Sequence, residues 1–452
     1  MVSLPDESKL KFQFPKQLQT ICLALIGGGL LLTLLHLGIV LMEDDHHGGH
    51  DEAKAAHVET TADAHGAAEA HASEAADDAH AKKDGGAHHH SKFTRFFYSL
   101  HLALLVALPL SLGGIFFVAI NVLSGAAWSV SVRRLAENYF WYLPVVLGLM
   151  IIIFAFGFGD VFHHWVHAPE TDLLVKHKEA WLNVPFFIGR NIIWVLLWIL
   201  FGYLFWKNSV AQDSDGKMSH TKTAAKLSAG FLIVFGLTYS FNSWDISMSL
   251  EPHWFSTLWA IYIFAGMALT LYASLILWTG FLKKNGYYGE AFNENHLHDL
   301  SKYLFGHTIF WAYMAVSQYL LIWYGHIPEV TTFFYYRTDG GLFENPWYAI
   351  TVLLVLCRFV IPFFLLCKRE WKRSWNFMMG LSVFIIFGQI LDMYWVAYPT
   401  LSKKFTPFSW EEIGPLLFVI GSFILVVGKN LERQSLIPVK DPRLEECLHF
   451  HQ

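Results

Sequence analysis

Charge is scarce in this chain. Only 15% of its 452 residues are Asp, Glu, Lys or Arg, whereas 54% are apolar and 17% aromatic; a soluble domain carries roughly a quarter charged residues. Cysteine is scarcer still. Cys22, Cys357, Cys367 and Cys447 are scattered, and none forms CxxC or CxxCH. That spacing argues against a disulfide framework, an iron–sulfur cluster and covalently attached c-type haem. Outside the long apolar segments no stretch is apolar enough to close a core, so the length does not imply several soluble domains. The net charge of −5 gathers mainly in one loop and carries no signal for nucleic acid. A cleavable signal peptide is not expected. The first apolar run, from near Gln17, is too long for an h-region and has no small-residue cleavage site behind it.

The apolar residues fall into long runs. A helix needs roughly 20 of them to cross about 30 Å of hydrocarbon, and ten segments qualify: 17–41, 96–123, 140–160, 183–206, 226–246, 254–282, 303–326, 346–367, 375–397 and 412–430. The fold class expected is therefore all-α integral membrane. Lys and Arg alternate with each crossing. One side holds Lys9, Lys11 and Lys16, then Arg133 and Arg134, Lys207, Lys217, Lys222 and Lys226, Lys283, Lys284 and Lys302, Lys368 to Arg373, and Lys429 to Arg443. The short loops opposite hold few, such as Lys176, Lys178, Arg337, Lys403 and Lys404. The positive-inside rule then puts both termini in the cytoplasm of a cell with an inner membrane.

Segment 43–94 differs in kind. Between 43 and 92 it holds ten histidines, one valine and no aromatic residue among Ala, Asp, Glu and Gly. It cannot bury enough apolar surface to offset chain entropy and reads as a disordered periplasmic loop. Irregular spacing of His46, His47, His50, His57 and His65 argues for weak, adventitious metal binding at most.

The remainder repeats. Trp165-Val-His167-Ala-Pro169-Glu170 and Trp323-Tyr-Gly-His326-Ile-Pro328-Glu329 each end a segment with His-x-Pro-Glu. The next segments start at Asn183-Val-Pro185 and Asn345-Pro346, and the ones after end in Asp245-x6-Pro252 and Asp392-x6-Pro399. Segments 2–5 and 6–9 thus read as two parallel copies of one four-helix bundle. The expected divisions are 1–42 (N-terminus and first helix), 43–94 (loop), 95–247 and 248–398 (the two bundles), and 399–452 (last helix and tail).

Ionisable groups at bilayer depth cost several kcal/mol unless they face a partner, a cavity or the bundle interior. These are His36, His101, Arg190, Asp245, His253, His307, Arg358 and Asp392, with Asp160, His163, His164 and His167 at the outer end of segment 3. The turn from Asp245 through Glu251 to His253 brings two carboxylates and an imidazole to one membrane edge. They are suited either to proton exchange near neutral pH or to capping helix ends. Arg358 with Asp392, and Arg190 with Asp160 or Asp245, are candidate pairs. His36, His101 and His307 are lone histidines on apolar helices, and nothing supplies the facing pairs that haem b ligation requires.

Four stretches carry a resemblance: WDISMSLEPHWFSTLWAIYIFAG (244–266), FGHTIFWAYMAVSQYLLIWYGHIPE (305–329), AWLNVPFFIGRNIIW (180–194) and LLVLCRFVIPFFLLCKREWKR (353–373). From roughly 95 to 430 the chain resembles the ActF-like membrane subunits of bacterial Alternative Complex III, a quinol:cytochrome c oxidoreductase. They are similar in turn to the NrfD and polysulfide-reductase C membrane-anchor family. The resemblance implies a homologous ten-helix sister subunit, an iron–sulfur and molybdopterin-enzyme-like subunit, multihaem and monohaem cytochrome c subunits, and a terminal oxidase downstream. Haems and iron–sulfur clusters would sit in those partners, and the substrate would be menaquinol or ubiquinol. The sister's quinol-site His and Asp correspond here to His163 or His164 and to Asp245, which implies Asp245 and His164 as quinol proton acceptors. Asp160, His163, His167, Arg190, Glu251, His253, Arg358 and Asp392 would then lie along a proton pathway. Three roles stay open at this point: helping oxidise quinol, conducting protons, or serving as a structural and assembly anchor that binds no quinone.

Overall fold

The computed structural model describes residues 7–42, 91–325, 331–339, 344–401 and 405–450. The His-rich segment and the second His-x-Pro-Glu, at His326 to Glu329, fall outside these.

The described chain is helical, its β-structure limited to one isolated bridge between Lys11 and Ser435. The long elements are α1 (Lys16–Met42), α2 (Thr94–Leu123), α3 (Ala127–Phe156), α4 (Val184–Asp215), α5 (Met218–Ile246), α6 (Trp259–Lys284), α7 (Glu294–Tyr324), α8 (Pro346–Cys367), α9 (Trp375–Leu401) and α10 (Trp410–Leu431). Among the described residues, nine of these are long and apolar enough to cross a membrane; α7, with 31 residues, is the one left out. Its central stretch, past the charged first turns, carries His307, Thr308, Ser317 and Gln318 among several Tyr and Trp residues, which lower its hydropathy. This is a multi-pass helical membrane architecture.

Local sequence explains several ends. Asn183 and Asn345 each cap the N-terminus of a helix with Pro in its first turn, α4 and α8, by accepting from Phe186 and Trp347 backbone N–H groups. The side chain fills an orphan donor while the ring loses nothing there. Ser409 and Glu412 form a capping box at the start of α10. In α8 the turn Leu356–Val360 widens to a π-turn just before Pro362, whose ring would otherwise meet the carbonyl four residues back. Two starts differ from expectation. The α7 helix begins earlier than 303 because Asn293 caps it. The α3 path begins at Ala127, well before 140, as short turns that carry Arg133 and Arg134 inward.

Helices α2 and α6 are the most enclosed and form the centre. α1 lies along α10 through close glycine contacts: a Cβ on Gly29 would fall 2.6 Å from the Phe418 backbone N, and one on Gly421 2.9 Å from the Cys22 carbonyl. Small residues allow such backbone approach between apolar helices. The connections gather at two ends. At one, Leu436 N–H donates to Leu10 O, Tyr288 N–H to Lys9 O, and Lys440 to Ser214 O, so the N-terminal segment and C-terminal tail lie together. At the other lie the connection between α3 and α4 and the turn after α5, joined by Lys178 donating to Pro252 O.

Candidate functional site

Two arginine–aspartate centres interrupt the apolar interior. The first ties α4 to α5. Asp245, in the last turn of α5, accepts from Arg190 Nη2 (2.7 Å) and Trp181 Nε1 (2.9 Å) on one oxygen, and from Arg190 Nε (2.7 Å) and Asn191 Nδ2 (2.8 Å) on the other. A carboxylate has about four acceptor sites, so this one is saturated. Arg190 spends its remaining edge on Trp181 O and lies 4.1 Å from the Trp181 ring centre. Bidentate pairing of this kind is the strong form of the carboxylate–guanidinium contact.

At the second centre four helices meet. Asp392 of α9 accepts from Tyr262 Oη of α6 and from Trp311 Nε1 of α7 (3.0 Å), and Arg358 Nη2 of α8 lies 3.3 Å away. Arg358 is buried over the Trp311 ring, and its Nε, Nη1 and Nη2 have no hydrogen-bond partner among the described residues. Glycine makes its room: a Cβ on Gly388 would come within 2.9 Å of Arg358 Cδ, and one on Gly266 within 3.1 Å of Nη2. Tyr262 and Trp311 also border a cavity of about 660 Å³.

A third group lies at the end away from the termini. Asp160 accepts from Thr94 Oγ1 (2.9 Å), and His163 Nδ1 is 3.0 Å from the Asp160 carbonyl. The rings of His163 and His164 are 4.0 Å apart, and His164 Nε2 is 2.8 Å from Thr400 O. Tyr398 donates to the buried Glu412 (2.9 Å), which Arg95 also contacts (3.2 Å); His36 lies 3.6 Å from Glu411. On the loop side His253 Nε2 is 2.7 Å from Asp172 Oδ2. Partial burial opposes ionisation of Asp172, but hydrogen bonds from the Val175 N–H and His253 outweigh it and hold the carboxyl below its usual range.

No protein-family model matches the chain, and no curated protein matches it.

The expected residues divide among these groups. Arg190 meets Asp245 and not Asp160, and Arg358 meets Asp392. The carboxylates and imidazole of the turn after Asp245 separate: Asp245 points into the bundle, Glu251 is half-buried, and His253 is exposed on Asp172. His167 is exposed. His101 Nε2 lies 2.7 Å from Ile246 O, and His307 Nδ1 2.8 Å from Tyr303 O.

Three features escaped the sequence reading. Arg133 and Arg134, taken as loop charges, are buried against Glu137, Asp441 and Asp213; the i, i+3 and i, i+4 spacing to Glu137 was the available signal. Arg337 is fully buried and donates to the Phe333, Trp395 and Val396 carbonyls. Burial lowers it to about 9, still charged at neutral pH. The aromatic cavity left no signal, because its walls come from separate helices.

Proposed function

We propose that this chain is an ActF-like membrane subunit of a quinol:cytochrome c oxidoreductase of the Alternative Complex III type, supporting quinol oxidation while partner subunits carry haems and iron–sulfur clusters. The observation that carries the reading is the concentration of buried proton-active and charged groups in an apolar bundle, at Asp245–Arg190, at Asp392–Arg358, and at Asp160, His163 and His164. Such groups are retained at bilayer depth where protons or substrates are handled.

Ten crossings fit this chain better than nine. The hydrogen bonds between the N-terminal segment and the C-terminal tail at one end favour an even number, with α7 as the tenth crossing. The two-bundle arrangement (α2–α5 and α6–α9, flanked by α1 and α10) is favoured by the matching Asn–Pro starts of α4 and α8. It is favoured too by one Arg–Asp–Trp centre in each half, and by α2 and α6 as the enclosed leading helices. The Lys and Arg bias assigns the end with the termini to the cytoplasm of an inner membrane, and the His-rich segment to the periplasm.

In this reading His164 takes a quinol proton at the periplasmic end, with His163 and Asp160 beside it. Asp245, the other expected acceptor, holds Arg190 and α4 in position. The second reading is a scaffold that binds no quinone, and the saturated shell of Asp245 is the observation that favours it. Isolating the tagged chain from its native membranes in mild detergent separates these from an unrelated transporter. Co-purifying c-type haem absorbance and quinol:cytochrome c turnover are expected. Recovery of the chain alone, without haem or turnover, overturns the assignment.

A further inference from the structure

A cavity of about 580 Å³ opens at the end that holds the termini, between the first turns of α7 and the Trp128 turn that begins α3. Sites for one small organic molecule occupy roughly 300–1,000 Å³. Its wall is accessible: the Lys302 side chain is 43% exposed and Tyr303 40%. Gly306 is exposed too, and a Cβ built there meets nothing within 4 Å. Trp128 and Tyr303 stack with their ring centres 5.5 Å apart, and such rings collect at headgroup level in a membrane.

The wall changes chemistry in a fixed order along α7. Asp299 comes first, then Lys302 and Tyr303, then Gly306, then the half-buried Phe310. At the rise of an α-helix these positions span about 16 Å, from a carboxylate at the membrane edge to an apolar ring at acyl depth. Aromatic side chains on a helix lean back toward its N-terminus, which brings the Tyr303 hydroxyl to the level of Lys302. A glycerophospholipid in that leaflet runs through a complementary series in the same direction: amine, phosphate, glycerol, acyl chain. Charge then selects the headgroup. Asp299 and Lys302 lie 2.6 Å apart, a balanced pair. A headgroup with phosphate alone competes with Asp299 for the Lys302 ammonium and leaves one negative charge in excess. One that also carries an ammonium supplies a counter-ion to each member of the pair.

We propose that this cavity seats the headgroup and glycerol of a zwitterionic, amine-bearing glycerophospholipid. Its phosphate lies on Lys302 and the Tyr303 hydroxyl, its ammonium toward Asp299, and its acyl chains leave past Gly306 and Phe310. The site is independent of the quinol reading.

The test places the full chain, purified from its own membranes with its partners, in nanodiscs of equal parts phosphatidylethanolamine and phosphatidylglycerol. A trace of one lipid or the other carries a diazirine at the start of an acyl chain, and labelled peptides are mapped. The ethanolamine probe should label 303–310 about tenfold more than the glycerol probe, the size of one charge-assisted contact. Lys302→Gln should lower the label, and Asp299→Asn should narrow the preference toward one. Gly306→Leu should abolish the label with the unfolding midpoint unchanged, because its side chain enters open space. Gly236→Leu, equally open on the exposed face of α5, should keep it. Equal or stronger labelling by the glycerol probe, label that survives Gly306→Leu, or a preference unmoved by Asp299→Asn overturns the assignment. So does label confined to other segments, or none with either probe.

Discussion

Asp245→Asn preserves side-chain size but leaves the Arg190 guanidinium, 6% exposed, without a counter-charge. Breaking a buried pair in this way costs about 3–5 kcal/mol, so thermal unfolding in detergent should fall well below that of the parent chain. An unshifted midpoint would show that the pair is not formed. At the second centre the two partners are unequal. A carboxylate can take up a proton and still accept from Tyr262 and Trp311, whereas a guanidinium stays charged. Asp392→Asn should therefore destabilise more than Arg358→Met, and the reverse order by the same melting assay would contradict the geometry. Outside the bundle, Asp172 titrates lower folded than unfolded. Its contribution is present above the unfolded value near 3.8 and is lost as pH falls through the folded one. Protection of the residue 172–178 amides, taken relative to their intrinsic exchange rate at each pH, should fall as pH drops through the folded value in the parent chain, and in Asp172→Asn it should already be lower at neutral pH. At this scale the Arg–Asp partners were legible because charge is so rare in apolar helices. The saturation of Asp245 was not, since it depends on which way neighbouring helices face.

Among the elements, apolar run length located the long helices of the described residues, and the Asn–Pro signals placed two helix starts, whereas the Ser409–Glu412 capping box was not read. The early start of α3 was hidden because its first turns are polar and are buried by their own ion pairs. The break at its far end follows Gly157, where a Cβ would strike the Phe97 ring. Packing of α1 on α10 gives a clean contrast. Gly29→Leu would drive a side chain into the Phe418 backbone, whereas Gly27 and Gly28 have nothing within 4 Å of a built Cβ. The first should cost about 1–3 kcal/mol and the other two nearly nothing, read as unfolding midpoints. Equal effects from all three would remove the glycine-mediated contact.

For the whole molecule, few charges and long apolar runs were enough to predict a multi-pass helical protein. Its buried polar groups gather in three places: two arginine–aspartate centres, whose partners the sequence already suggested, and a histidine pair with Asp160 at one end, which it did not assemble. A subunit so built has no electron-carrying group of its own in the proposed scheme and acts through partners. Quinol:cytochrome c turnover in membranes from cells lacking this chain, against the same cells with it restored, tests that claim most directly. Loss of turnover on deletion and its return on restoration are predicted; unchanged turnover in the deletion membranes would contradict the account.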